Sequence, residues 1–349
     1  MYSDTDLDSA VAAGALSAEA AQGLRGHAAS LRSSPLVDEE NFRLLTGFND
    51  IFVAIAGVLL LLGMAWTGGE VHVALGGAMV AASAWGLAEY FTKVRRMALP
   101  SIIFLLAFVG GVFAAVTGIL IPSGNVSQGD QTGAIMMAIG AAVAAAAAWL
   151  HWRRFQVPIT VAAGAAAAVG VVVSLLMASF PVIEQVIYPA LLILGLAVFA
   201  LAMRWDMSDT GRTTRRSDVA FWLHLLSAPL IVHPVFEMLG LLGGTPSVAQ
   251  ALVVILLYMG LGLIALAVDR RALLVSALGY VIYAIIALFR EFGAISLNVA
   301  LAALVIGSAL LMLSAFWQTM RRITLELLPE SMVRGLPLTQ SVAVLKTAK

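Results

Sequence analysis

One apolar stretch, residues 218–242 (DVAFWLHLLSAPLIVHPVFEMLGLL), carries two histidines, a glutamate and two prolines. His224, His233 and Glu237 are residue types that take up protons or ligate metals. His233 and Glu237 are four positions apart and share a helix face. His224 and His233 are nine apart, close to half a turn out of phase. Pro229 and Pro234 each lack a donor and push away the carbonyl four residues earlier, those of Leu225 and Leu230. Such freed carbonyls are tolerated in hydrocarbon only where protein or a wet cavity covers them. The pattern predicts a kinked or locally opened helix, with His233 and Glu237 at the opening as a proton-linked transport site. His224 reads first as a histidine satisfied by one helix–helix hydrogen bond.

Other residues could join this chemistry. Arg290 falls at the outer end of a later span and is expected near Glu237, with Glu291 as the competing partner. His72, His233 and Glu237 all fall on the outer side, and imidazole with carboxylate suits zinc or iron. This metal set is weakly signalled, because no HExxH or paired-histidine spacing exists. The outer segments hold Glu70, Asp130, Glu184, Glu237 and Glu291 against Arg290 alone, so an outer mouth would attract cations. Membrane insertion does not purge acids from outer loops, which explains the same excess. Ser217 and Asp218 read as the cap of their helix. His151 beside Trp152 reads as an interfacial anchor, and Glu89 with Lys93 as an i,i+4 ion pair.

The elements that must hold these residues are set by composition. Of the 349 residues 61% are hydrophobic and 11% charged. A soluble domain carries about 25% charged residues, so most of this surface faces lipid. With 20 basic and 20 acidic residues and no long basic run, no nucleic-acid partner is indicated. The absence of cysteine removes disulfides, thiolate metal sites and cysteine nucleophiles. No Walker loop, nucleotide fingerprint or GxSxG elbow occurs, so no cofactor and no enzyme class is indicated.

The fold class is all-α, a polytopic membrane bundle. Ten stretches are long enough to span, at about 50–67, 71–90, 99–121, 132–151, 157–179, 185–203, 219–242, 247–268, 272–289 and 295–317. Residues 1–48 form a small cytoplasmic helical segment, 49–317 the spanning domain, and 318–349 a helix extension and tail. In the first segment Gly14 stops one helix and Ser17 caps the next. With both termini inside, 19 of the 20 basic residues lie on the cytoplasmic side, Arg290 alone excepted. Arg-Arg pairs at 95/96, 153/154, 215/216, 270/271 and 321/322 mark an antiparallel hairpin used five times. AAVAAAAA at 141–148 and AAGAAAAVG at 162–170 predict a tight helix seam. The last helix is expected to run on through Arg321 and Arg322 until Pro329.

Three parts, AVAAGALSAEAAQGLRGH, ENFRLLTGFNDIFVAIAGVLLLLG and LELLPESMVRGLPL, resemble a broad group of bacterial multi-pass inner-membrane proteins with no assigned activity. The resemblance implies the architecture and the inner-membrane location, and it transfers no functional residues. The expected function is a carrier or permease for a small solute or ion, proton-linked through the seventh span. The alternatives are a non-transporting scaffold and, further off, a membrane-embedded enzyme or metal carrier. The lipid bilayer is the expected partner.

Overall fold

The computed structural model describes residues 4–24, 48–121, 130–180, 184–210, 212, 214–240, 248–291, 298–329, 333 and 336. The chain divides into two units, Met1–Arg43 and Leu44–Lys349. In the first, the helix Asp4–Ala12 stops at Gly14, whose φ of +72° needs a residue without a Cβ. Ala15 N then donates to Ala10 O, closing the left-handed cap. Ser17 Oγ accepts from Ala20 N and caps the helical residues 18–24. The sequence also predicts an apolar face over 37–48 from Phe42, Leu45 and Phe48; apart from Phe48 it lies outside the described residues.

Every regular element described in the second unit is helical. The helices are α1 (Phe48–Gly69), α2 (Val73–Leu87, continued by a π-helical turn Ala88–Val94), α3 (Ala98–Leu120), α4 (Gln131–Phe155), α5 (Ile159–Ser179) and α6 (Glu184–Met207). There follow α7 (Arg215–Met238), α8 (Val248–Val268), α9 (Ala272–Glu291), α10 (Asn298–Ala315) and α11 (Trp317–Glu326). Six of them, α1 and α3 to α7, are long and apolar enough to cross a membrane. A seventh span results if α10 and α11 count as one, against the ten expected from sequence. The α-helical part of α2 has only 15 residues, and α8 has 21.

Neighbours in sequence pack most closely in the pairs α2–α3, α4–α5 and α6–α7, each joined by an arginine-bearing turn, and a fourth such turn joins α8 and α9. Small residues make this possible. A Cβ on Gly77 would lie 2.5 Å from Ala115 N, and one on Gly111 2.8 Å from Ala81 N. The α4–α5 seam is the alanine row expected, with Ala134, Ala138, Ala141, Ala144 and Ala148 all buried. Each of the four turns holds one non-glycine residue at positive φ: Arg96, Gln156, Arg212 and Asp269, spaced about 56–60 residues apart. The same turn geometry therefore recurs with the hairpins.

These turns gather at one end of the bundle. Arg154 makes two bonds to Glu89, at 2.7 and 2.8 Å, and Lys93 lies 3.8 Å from the same carboxylate. Arg215 reaches Gln156, Arg212 reaches Asp269, and Arg321 lies 3.4 Å from Asp269. A polar belt thus ties the helix ends together at this end of the bundle.

The last helix does not run on as expected. The chain bends by 73° between α10 and α11, and the reason is the anchoring of α11. Trp317 and Arg321 are buried and both bind Asp269. Phe316, Met320, Ile323 and Leu327 form an exposed stripe on another face of the same helix. A straight continuation would pull both anchors away.

Candidate functional site

α7 is the central helix. Half of its apolar window is buried, against 17–39% for the other five long spans. It starts at Arg215, with Thr214 Oγ1 accepting from Arg216 N, three residues before the cap expected at Ser217 and Asp218. That frees Ser217 for other contacts. The helix continues through Pro229 and Pro234 to Met238 without a break. The gap at Pro234 is covered by α6: a Cβ on Gly195 would lie 2.8 Å from the Leu230 carbonyl carbon and oxygen. Only a glycine lets α6 approach that freed carbonyl, which answers the demand that hydrocarbon places on it.

The sequence candidates end up apart. His233 is half-buried, edge-on to Tyr188 at 6.2 Å between ring centres. Glu237 is half-buried one turn further along. The side chain of Arg290 lies outside the described residues, and so does its expected pairing with Glu237. His72 is exposed at the start of α2, where its Nδ1 accepts from Ala74 N at 3.1 Å as a helix cap. The structure does not gather His72, His233 and Glu237 into a metal site. Among the described residues no group of three histidine or acidic side chains is placed to hold a metal. Of the other acids expected on the outer side, Glu70 accepts from the Trp66 indole and Asp130 caps α4. His151 is not an interfacial anchor. It is fully buried among Trp85, Phe108 and Phe155, within 3.3 Å of Thr160 Oγ1.

His224 is the candidate that acquires partners. It has no exposed surface, and its Nε2 lies 2.7 Å from Asp206 Oδ2 in the last turn of α6. A carboxylate only accepts, so Nε2 carries the proton and donates. Asp206 is itself fully buried and takes a second set of bonds from Arg270, in the α8–α9 turn. Arg270 Nε lies 3.3 Å from Oδ2, while its Nη2 bonds Oδ1 and also donates to Ser217 O and Oγ at 3.1 and 3.0 Å. Ser227 Oγ bonds the His224 carbonyl. The other ring nitrogen, Nδ1, is buried and has no hydrogen-bond partner among the described residues.

A second carboxylate extends the network. Asp269 occupies the left-handed position after α8, with Arg270 N bonded to Ala265 O and Asp269 N to Leu266 O, a Schellman cap. Its side chain accepts from Arg212 at 2.8 Å and from the Trp317 indole at 2.7 Å. Asp209 in turn accepts from Thr214 N and Oγ1. Three carboxylates, Asp206, Asp209 and Asp269, thus stand with three guanidiniums, Arg212, Arg270 and Arg321, around the foot of α7. These six charges balance when His224 is neutral; half-buried Asp218 and exposed Arg215 stand beside them with opposite charges.

Asp206, Asp269 and the burial of Arg270 and Arg321 were not foreseen. In sequence they read as ordinary inner-loop charges. One signal was present: of the five Arg-Arg pairs, only 270/271 directly follows an acid, Asp269. Comparison with family models, with curated proteins and with solved structures finds no match for this chain.

Proposed function

We propose that this chain is a carrier-like inner-membrane protein for a small solute or ion, proton-linked through His224 rather than through His233 and Glu237. In this reading the chain crosses the bilayer ten times as five hairpins, with both termini cytoplasmic. α2, α8 and α9 supply the spans beyond the seven, and the polar belt lies at the cytoplasmic ends. The arginine sorting and the resemblance to bacterial multi-pass inner-membrane proteins support that placement.

The observation that carries the proton role is the bare Nδ1 of His224. His151 Nε2 is equally bare, but among the described residues only His224 sets such a nitrogen inside the ion network. Here one nitrogen is held by Asp206 and the other has no hydrogen-bond partner among the described residues. Protonation at Nδ1 would add one positive charge to a balanced, buried cluster at the junction of α6, α7 and the α8–α9 turn. Such a change of charge is what could bias helix positions in an alternating cycle.

His224→Gln is the matching test. The glutamine amide keeps a donor to Asp206 and loses the proton-accepting nitrogen. In proteoliposomes with an imposed potential, the variant is expected to lose proton uptake at least about tenfold, a barrier change of ~1.4 kcal/mol. Uptake equal to wild type in a variant with an unchanged elution profile would sink the carrier reading. The charge balance of the six ionic groups specifically favours the second reading, a scaffold in which this network only locks the inner helix ends, and that result would select it.

A further inference from the structure

A groove of about 150 Å³ lies between α8, α9, α10 and α11, away from His224. Its walls are almost wholly apolar, formed chiefly by Leu274, Leu278, Leu310 and Leu313, with Trp317 at the α10–α11 bend. Arg271 stands at its rim. The guanidinium lies 4.9 Å above the Trp317 ring, and no carboxylate pairs with it among the described residues. Its neighbour Arg270, by contrast, is consumed by Asp206.

Two further observations indicate what fills the groove. Arg271 belongs to the end of the bundle where the other arginine-bearing turns gather, the level at which lipid headgroups meet a spanning protein. α11 leaves α10 at 73° and exposes Phe316, Met320, Ile323 and Leu327 as one stripe beside the groove. Positions 0, 4, 7 and 11 of a helix fall within one narrow face, so this stripe suits acyl chains at the level of the interface. It is continuous with exposed Leu311 and Met312 on α10.

We propose that the groove holds one acyl chain of an anionic phospholipid, with the lipid phosphate on Arg271 and α11 lying in the interface beside it. Phosphate suits an arginine fork that lacks a carboxylate. The site is independent of the proton role of His224.

Native mass spectrometry of the full chain in detergent, equilibrated separately with phosphatidylglycerol and with phosphatidylcholine, tests this. Wild type is expected to retain one phosphatidylglycerol, about fivefold more than phosphatidylcholine. Arg271→Gln should abolish that preference. Val275→Trp should reduce retention of both lipids, because it fills the groove from a position that is 62% exposed and carries little of the fold. Inorganic phosphate at equal concentration should leave the lipid in place. Equal retention of the two lipids by wild type, or unchanged retention in both variants, overturns the proposal. So does displacement by phosphate alone, or a dimer that Val275→Trp dissolves without lipid loss.

Discussion

At the scale of single residues, Asp206, His224 and Arg270 form a buried ion cluster at one end of the bundle. Taking Asp206 and Arg270 out of water costs several kcal/mol per ion, offset only because each remaining lone pair and donor is matched. Removing one partner strands the other. Arg270→Met is therefore expected to destabilise by about 3–5 kcal/mol, and adding Asp206→Leu should recover much of the loss. Thermal unfolding of the two variants in detergent measures both steps. A single loss below ~1 kcal/mol would mean that the cluster is not dry. The histidine itself was legible, because an ionisable group inside an apolar run is conspicuous. Its partners were not, since Asp206 and Arg270 stand 64 residues apart and each ends a span, where charge is expected anyway. For His233 and Glu237 the limit is related: four-residue spacing shows a shared face but not what that face meets.

At the scale of helices, close approach through glycine holds the pairs together. Gly195 matters most, because the carbonyl freed by Pro234 rests against it. Gly195→Ala is expected to force α6 away from α7 at a cost of about 1–3 kcal/mol. Gly110→Ala is the control. Its added methyl meets nothing within 4 Å, and helix propensity favours alanine by up to about 1 kcal/mol. Melting temperatures should fall for the first and hold or rise for the second; equal behaviour would remove the packing argument. The proline positions announced a freed carbonyl, and the alanine runs announced the α4–α5 seam. Periodicity did not show that α7 would pass both prolines unbroken. Nor did it show the bend before Trp317, because tertiary anchoring on Asp269 decides that bend and local preference does not.

For the whole molecule, the arginine sorting and the belt at one end describe the same polarity. The cysteine-free chain makes it directly measurable, since a single introduced thiol reports alone. Lys93→Cys, 45% exposed in wild type, is expected to react with an impermeant maleimide only after the inner face is opened. Glu70→Cys should react in intact cells. Labelling of both from the same side would discard the ten-span topology. The spanning class was plain from hydropathy, while the count was harder, because the α-helical part of α2 is short and α10 turns aside. That turn has a consequence for how the chain ends. One carboxylate, Asp269, clasps the Arg212 loop, the Trp317 indole and the Arg321 guanidinium at once. Asp206 binds the very next residue, Arg270. Unhooking α11 at Asp269 would therefore unseat Trp317 from Ala265, Leu266 and Leu273 and disturb the turn that holds Arg270 in place.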